Sequence, residues 1–105
     1  MRLIDLNPRW VRAGGEGITD RDGKPVPEQR GVGISFDCLC GCGVRVYVDF
    51  DTALDGAPTK AKSPRWHRDG ITFNSLTLSP SILRAEQKGG CGWHGFVRNG
   101  HVTNA

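Results

Sequence analysis

The sequence predicts a mainly β fold: a small single domain over residues 1–105, built of hairpins with long loops and one short helix. Three observations carry this. Two runs alternate apolar and polar residues with period two, the signature of half-buried strands. Four turn dipeptides, Asp22-Gly23, Asp55-Gly56, Asp69-Gly70 and Asn99-Gly100, are spread along the chain, as in hairpin-rich proteins. Fifteen glycines and six prolines in 105 residues leave little room for long regular elements.

Taken in order, Gly31–Cys38 (GVGISFDC) sets Val32, Ile34 and Phe36 against small or polar neighbours, and reads as a strand. Val44, Val46, Val48 and Phe50 alternate with Arg45, Tyr47 and Asp49 and read as its partner. Ile71–Leu78 (ITFNSLTL) is a third strand. Ser79-Pro80-Ser81 followed by ILRAEQK and Gly89 predicts the short helix, with Ser79 as N-cap and Pro80 in the first position. Phe96–Arg98 and His101–Thr103 flank Asn99-Gly100 as a closing hairpin. Residues 16–29 and 51–66 show little pattern and read as long connections.

The opening MRLIDLNPRW has no apolar run of signal-peptide or membrane-span length, so a cytoplasmic protein with no membrane partner is expected. Net charge is only +3. The densest basic stretch, Lys60 to Arg68 around Trp66, is compatible with nucleic acid, but at this weak net charge a solvated loop is the favoured reading.

Cys38, Cys40 and Cys42 fall within five positions, between the two predicted strands, and Cys91 follows far along the chain. A reducing compartment disfavours disulfides, which leaves metal binding or reactive thiol chemistry. In a straight strand, alternate residues stand about 6.6 Å apart, too far for three sulfurs to share one ion. Gly41 and Gly43 allow the chain to curl so that the thiols converge. Cys91 then closes a tetrahedral, structural zinc site and staples the hairpin to the carboxy-terminal segment. Cys91-Gly92-Trp93-His94 is also a C-x-x-H spacing, so His94 competes for one of the four places. A Rieske-type cluster wants two histidines, each paired with a cysteine, and this chain has a single such pairing.

The C-x-CGCG cluster, LTLSPSI, GGCGWHGF and NGHV together resemble a family of small proteins common in phage and prophage genomes. Some members carry an ammonia monooxygenase label, and others are encoded beside bacterial ubiquitin-like conjugation genes. The resemblance runs from LIDLNPRW onward. Leu39 stands where relatives often have proline, and RAEQK lengthens the link between the P-S-I and C-x-x-H segments. A copper oxidase site would need more histidines than His67, His94 and His101.

With zinc held by four cysteines, His94 has no ligand duty. Ser81 at the Pro-Ser-Ile junction and His94 then supply the minimum for an activated nucleophile. Gly89, Gly90 and Gly92 are candidate oxyanion donors, and Glu16, Asp37 and Asp49 are candidates to orient the imidazole. The resemblance implies a substrate: an acyl or isopeptide bond at the tail of a ubiquitin-like protein, cleaved by a serine peptidase that counters a host defence. The alternative is a zinc-stapled binding module without catalysis, presenting Trp66 with Arg65, His67 and Arg68 to a protein or nucleic acid.

Overall fold

The structure, a computed structural model, describes residues 1–13, 30–56, 65–84 and 91–105. Among these residues, eight strands follow a 3₁₀ turn at Leu3–Leu6. They are β1 (Arg9–Ala13), β2 (Arg30–Asp37), β3 (Arg45–Asp49), β4 (His67–Asp69), β5 (Thr77–Ser79), β6 (Ile82–Leu83), β7 (His94–Arg98) and β8 (His101–Asn104). They form three sheets: β1-β2-β3, β4-β5 and β6-β7-β8, with antiparallel pairing throughout. The predicted mainly β class holds.

The strongest pairing is β2 with β3. Its register sets Ile34 opposite Val48 and Phe36 opposite Val46, and all four side chains are fully buried or nearly so. Strand alternation requires this outcome once apolar residues recur at every second position. Between them Tyr47 faces solvent. Arg45 crosses the pair to bond Ser35 and the carboxylate of Asp37, at 3.0 Å to Asp37 Oδ1. The core these residues found is shared: Leu78 of β5, Ile82 of β6, Val97 of β7 and Val102 of β8 all enter it, with Leu3, Leu6, Phe50, Leu76 and Trp93.

The β7–β8 hairpin turns on Asn99 and Gly100, both with positive φ (46° and 73°), as a type I′ turn demands. On β7 the buried residues are Gly95 and Val97, with Trp93 just before the strand, so His94 faces outward. Gly95 is required at its position, because a Cβ there would collide with the Thr103 carbonyl and the Trp93 ring. That ring lies edge-on to Phe36 and donates its N–H to Asn104 Oδ1 at 2.9 Å.

Three expectations are corrected. Residues 79–84 are not the start of a helix. Ser79 ends β5, the Ser79–Pro80 peptide is cis, and Ile82–Leu83 pair with β7, while 85–90 lie outside the described residues. The burial pattern explains why: Leu78 and Ile82 both reach the core from extended backbone, one from each side of the Pro80 turn. The strand expected over 71–78 is confined to Thr77–Ser79, since the Ser75 hydroxyl and backbone N–H bond back to Thr72 and close a turn there. Trp66 is half-buried rather than displayed, and its indole N–H donates to the Ser81 carbonyl at 3.3 Å.

Candidate functional site

The first half of the site is the tip of the β2–β3 hairpin. Gly41 and Gly43 both take φ of 81°, a region L side chains disfavour, and a Cβ at either would meet nothing within 4 Å. The demand is therefore for backbone conformation, not for space. The resulting curl, closed by Cys38 N–H to Val44 O and Gly41 N–H to Cys38 O, brings the thiols together. Cys38 Sγ lies 3.2 Å from Cys40 Sγ and 3.5 Å from Cys91 Sγ, and Cys40 Sγ lies 3.4 Å from Cys91 Sγ. With Cys42, all four sulfurs fall within 4.8 Å of one another.

Four sulfurs at about 2.3 Å from one zinc ion would stand about 3.8 Å apart at the corners of a tetrahedron. The cluster fits such an ion, and four cysteines this close could hold a metal. Among the described residues His94 is not part of this group.

Cys91 reaches the cluster through a bulge. Gly92 N–H donates to Arg84 O at 2.7 Å, and Arg84 N–H donates to Trp93 O at 2.8 Å. Gly92 has φ of 83°, so this is a G1 bulge with glycine in its left-handed position. Gly92 N–H is thereby committed to the ladder and is not the oxyanion donor the sequence suggested. Gly89 and Gly90 lie outside the described residues.

Without metal the thiols share their protons unequally. The Trp93 backbone N–H, followed by the Cys40 thiol, brings Cys91 down to about 7. Hydrogen bonds from Cys38 first, then Cys42 and Cys91, push Cys40 up to about 12. Arg84 stands over the group, with one guanidinium nitrogen 3.9 Å from both Cys42 Sγ and Cys91 Sγ. Burial opposes its charge, but the sulfurs of Cys38, Cys91 and Cys42 outweigh burial and hold the guanidinium pKa above its ordinary value.

The second half lies at the other end of the β6–β7 pair. Leu83 is opposite His94 and Ile82 is opposite Gly95, which places Ser81 just beyond the strand end. Ser81 Oγ and His94 Nε2 are 2.7 Å apart, with the serine half-buried and the histidine exposed. The hydroxyl donates to Nε2 when the imidazole carries its own proton on Nδ1. This is the geometry of a nucleophile with its base. Beside it, Phe96 lies 6.3 Å from the His94 ring and carries the Arg98 guanidinium 4.0 Å over its own face.

Of the groups considered to orient His94, Asp37 is paired with Arg45, and neither Asp37 nor Asp49 hydrogen-bonds the imidazole. Glu16 lies outside the described residues. Of the basic stretch around Trp66, Arg68 and His67 are committed within the fold. The Arg68 guanidinium donates to the carbonyls of Thr52, Ala53 and Gly70, and His67 pairs with Asp51 at 3.0 Å. Lys60 and Lys62 are outside the described residues. Sequence reasoning missed Arg84, whose only signal was a lone basic residue at the end of an apolar pair.

A small β domain with a four-thiol cluster at one end of a strand pair and a serine–histidine pair at the other defines the class of molecule. Residues 18–105 match the family described as bacterial ubiquitination-like system serine protease (BubE), and the chain belongs to that family. No curated protein and no solved structure matches the chain. No helix among the described residues is long and apolar enough to cross a membrane.

Proposed function

We propose that the chain is a serine peptidase that cleaves the acyl or isopeptide bond at the carboxy-terminal tail of a ubiquitin-like protein, with Ser81 as nucleophile and His94 as general base. The 2.7 Å Ser81 Oγ–His94 Nε2 contact carries this reading, and membership of a family described as serine proteases supports it. Ser81 Oγ attacks the carbonyl carbon as its proton passes to Nε2. The imidazolium then gives that proton to the departing amine, leaving an acyl-serine. Water, deprotonated by the same nitrogen, releases the acid and restores the serine.

Glu16 is our candidate for the group that holds Nδ1–H, although the family match begins just beyond it, at residue 18. The four cysteines hold zinc in a closed, structural site, so the metal's contribution is to fix the fold. For a phage-encoded member in a host cytoplasm, removal of conjugated tails would reverse a defence modification.

The test is covalent labelling with a fluorophosphonate, mapped by mass spectrometry. The expected result is one adduct on Ser81, lost in Ser81→Ala, and slowed by at least about 100-fold in His94→Ala. Equal labelling of all three proteins, or of none, rejects the peptidase. Glu16→Gln is expected to slow labelling less than His94→Ala, because it orients the base without accepting the proton.

A further inference from the structure

Ser81-Ile82-Leu83-Arg84 runs antiparallel to Cys91-Gly92-Trp93-His94, and the two segments meet at both ends through side chains. At one end Ser81 bonds His94, and at the other the Arg84 guanidinium meets Cys91 and Cys42. Ser81 is three positions from Arg84 and His94 is three positions from Cys91, and β6, between Ser81 and Arg84, is only two residues long. Two paired residues give a strand little stability of its own. Its carboxy-terminal end is fixed instead by the Arg84 backbone bonds in the bulge and by its guanidinium.

We propose that Arg84 is a positioning residue that couples metal occupancy of the cysteine cluster to the Ser81–His94 pair. Four thiolates around a divalent ion carry about two excess negative charges. Arg84 is the cation within reach of them among the described residues, at 3.9 Å from two sulfurs. Loading the cluster turns this contact into a charge-assisted one and clamps the end of β6 against β7. The clamp fixes the register of Leu83 against His94, and with it the distance from Ser81 Oγ to Nε2. Release of the metal removes the excess charge and weakens the clamp, leaving β6 to its short pairing, the backbone bonds of the bulge and the burial of Ile82.

The inference rests on reading the four thiols as a zinc site and Ser81–His94 as a working pair. Its test therefore includes readouts that do not depend on turnover. Zinc-loaded wild type, Arg84→Gln, Arg84→Met and Arg84→Lys are compared by zinc release to a chromophoric chelator, by the ¹⁵N resonance of His94 Nε2, and by fluorophosphonate labelling of Ser81. Arg84→Gln and Arg84→Met are expected to bind one zinc but release it about 10-fold faster. Their His94 Nε2 resonance moves toward that of Ser81→Ala, and labelling slows about 10-fold or more. Arg84→Lys, which keeps the charge, recovers most of both signals. Should Arg84→Gln fail to fold, Arg84→Met, which keeps the apolar stem, carries the same comparison. A zinc-loaded, charge-removed variant with the wild-type His94 resonance and a labelling rate within twofold of wild type overturns the proposal. Absence of labelling in the wild type would reject the peptidase alone, because the His94 resonance reads the hydrogen bond whether or not the serine reacts.

Discussion

The β2–β3 hairpin and the β6–β7 pair both lead to the cysteine cluster, but they are built on opposite terms. The hairpin has five paired positions, and Ile34, Phe36, Val46 and Val48 drive its inner face into the core. The β6–β7 pair has two paired positions, and of the facing residues Leu83 and His94, both are exposed. One region presents three thiols from a rigid base. The other places a serine and a histidine on an open face and depends on contacts at its ends. The difference shows how a small chain can carry a polar pair on an exposed face: the buried hairpin supplies the stability, and the short pair is joined to it at Cys91 and Arg84.

The largest way to break this contrast is to remove the joint between the regions. Cys91→Ala is expected to abolish tight zinc binding, and its melting temperature should no longer respond to zinc, as a melting series with and without the metal would show. Next comes the hairpin itself. Phe36 is fully buried, so Phe36→Ala should cost about 3–5 kcal/mol by denaturant unfolding, whereas Leu83→Ala, at a site 59% exposed, should cost under about 1 kcal/mol. Equal losses would mean that the two regions share stability more evenly than their burial indicates.

A smaller effect is expected at the bulge. Gly92→Ala places a side chain at a φ of 83°, a strain of about 1–2 kcal/mol, and should lower both zinc retention and Ser81 labelling. In metal-free protein, Cys91 should be alkylated before Cys40, with its rate half-maximal at about pH 7, since it loses its proton near there while Cys40 holds its own to about 12. Simultaneous alkylation of both would contradict the inequality among the thiols.

The smallest effect lies away from both regions. Burial raises the pKa of Asp51, but the His67 hydrogen bond, with backbone N–H groups of Arg68 and Thr52, lowers it further, and the net direction is down. A carboxyl depressed in the folded state stabilises above its unfolded pKa of about 3.9, and that contribution is lost as pH falls through the folded value. Asp51→Asn should therefore flatten the acid limb of the stability curve slightly and leave neutral-pH labelling unchanged.

The hairpin was legible in the sequence because its alternation is long and its core face is apolar without interruption. The Asn99-Gly100 turn was legible because few other dipeptides accept two positive φ angles. The convergence of Cys38, Cys40 and Cys42 followed from the adjacent glycines. The short strands were not legible, since two or three residues hold no period. ILR after a proline resembles a helix start until Ile82 and Leu78 are seen to share one core from extended backbone. Arg84 could not be assigned, because its partners Cys42 and Cys91 meet it only through the fold. Ser81 and His94 were nameable as residue types, but their 2.7 Å approach depends on the β6–β7 register, which no local pattern encodes.

The central claim is a division of labour: four sulfurs serve the metal, and His94 serves Ser81. X-ray absorption at the zinc edge of the loaded protein tests it directly. The account predicts a shell of four sulfurs at about 2.3 Å and no nitrogen. Three sulfurs and one nitrogen at about 2.0–2.1 Å would make His94 a ligand, deprive Ser81 of its base, and contradict the account.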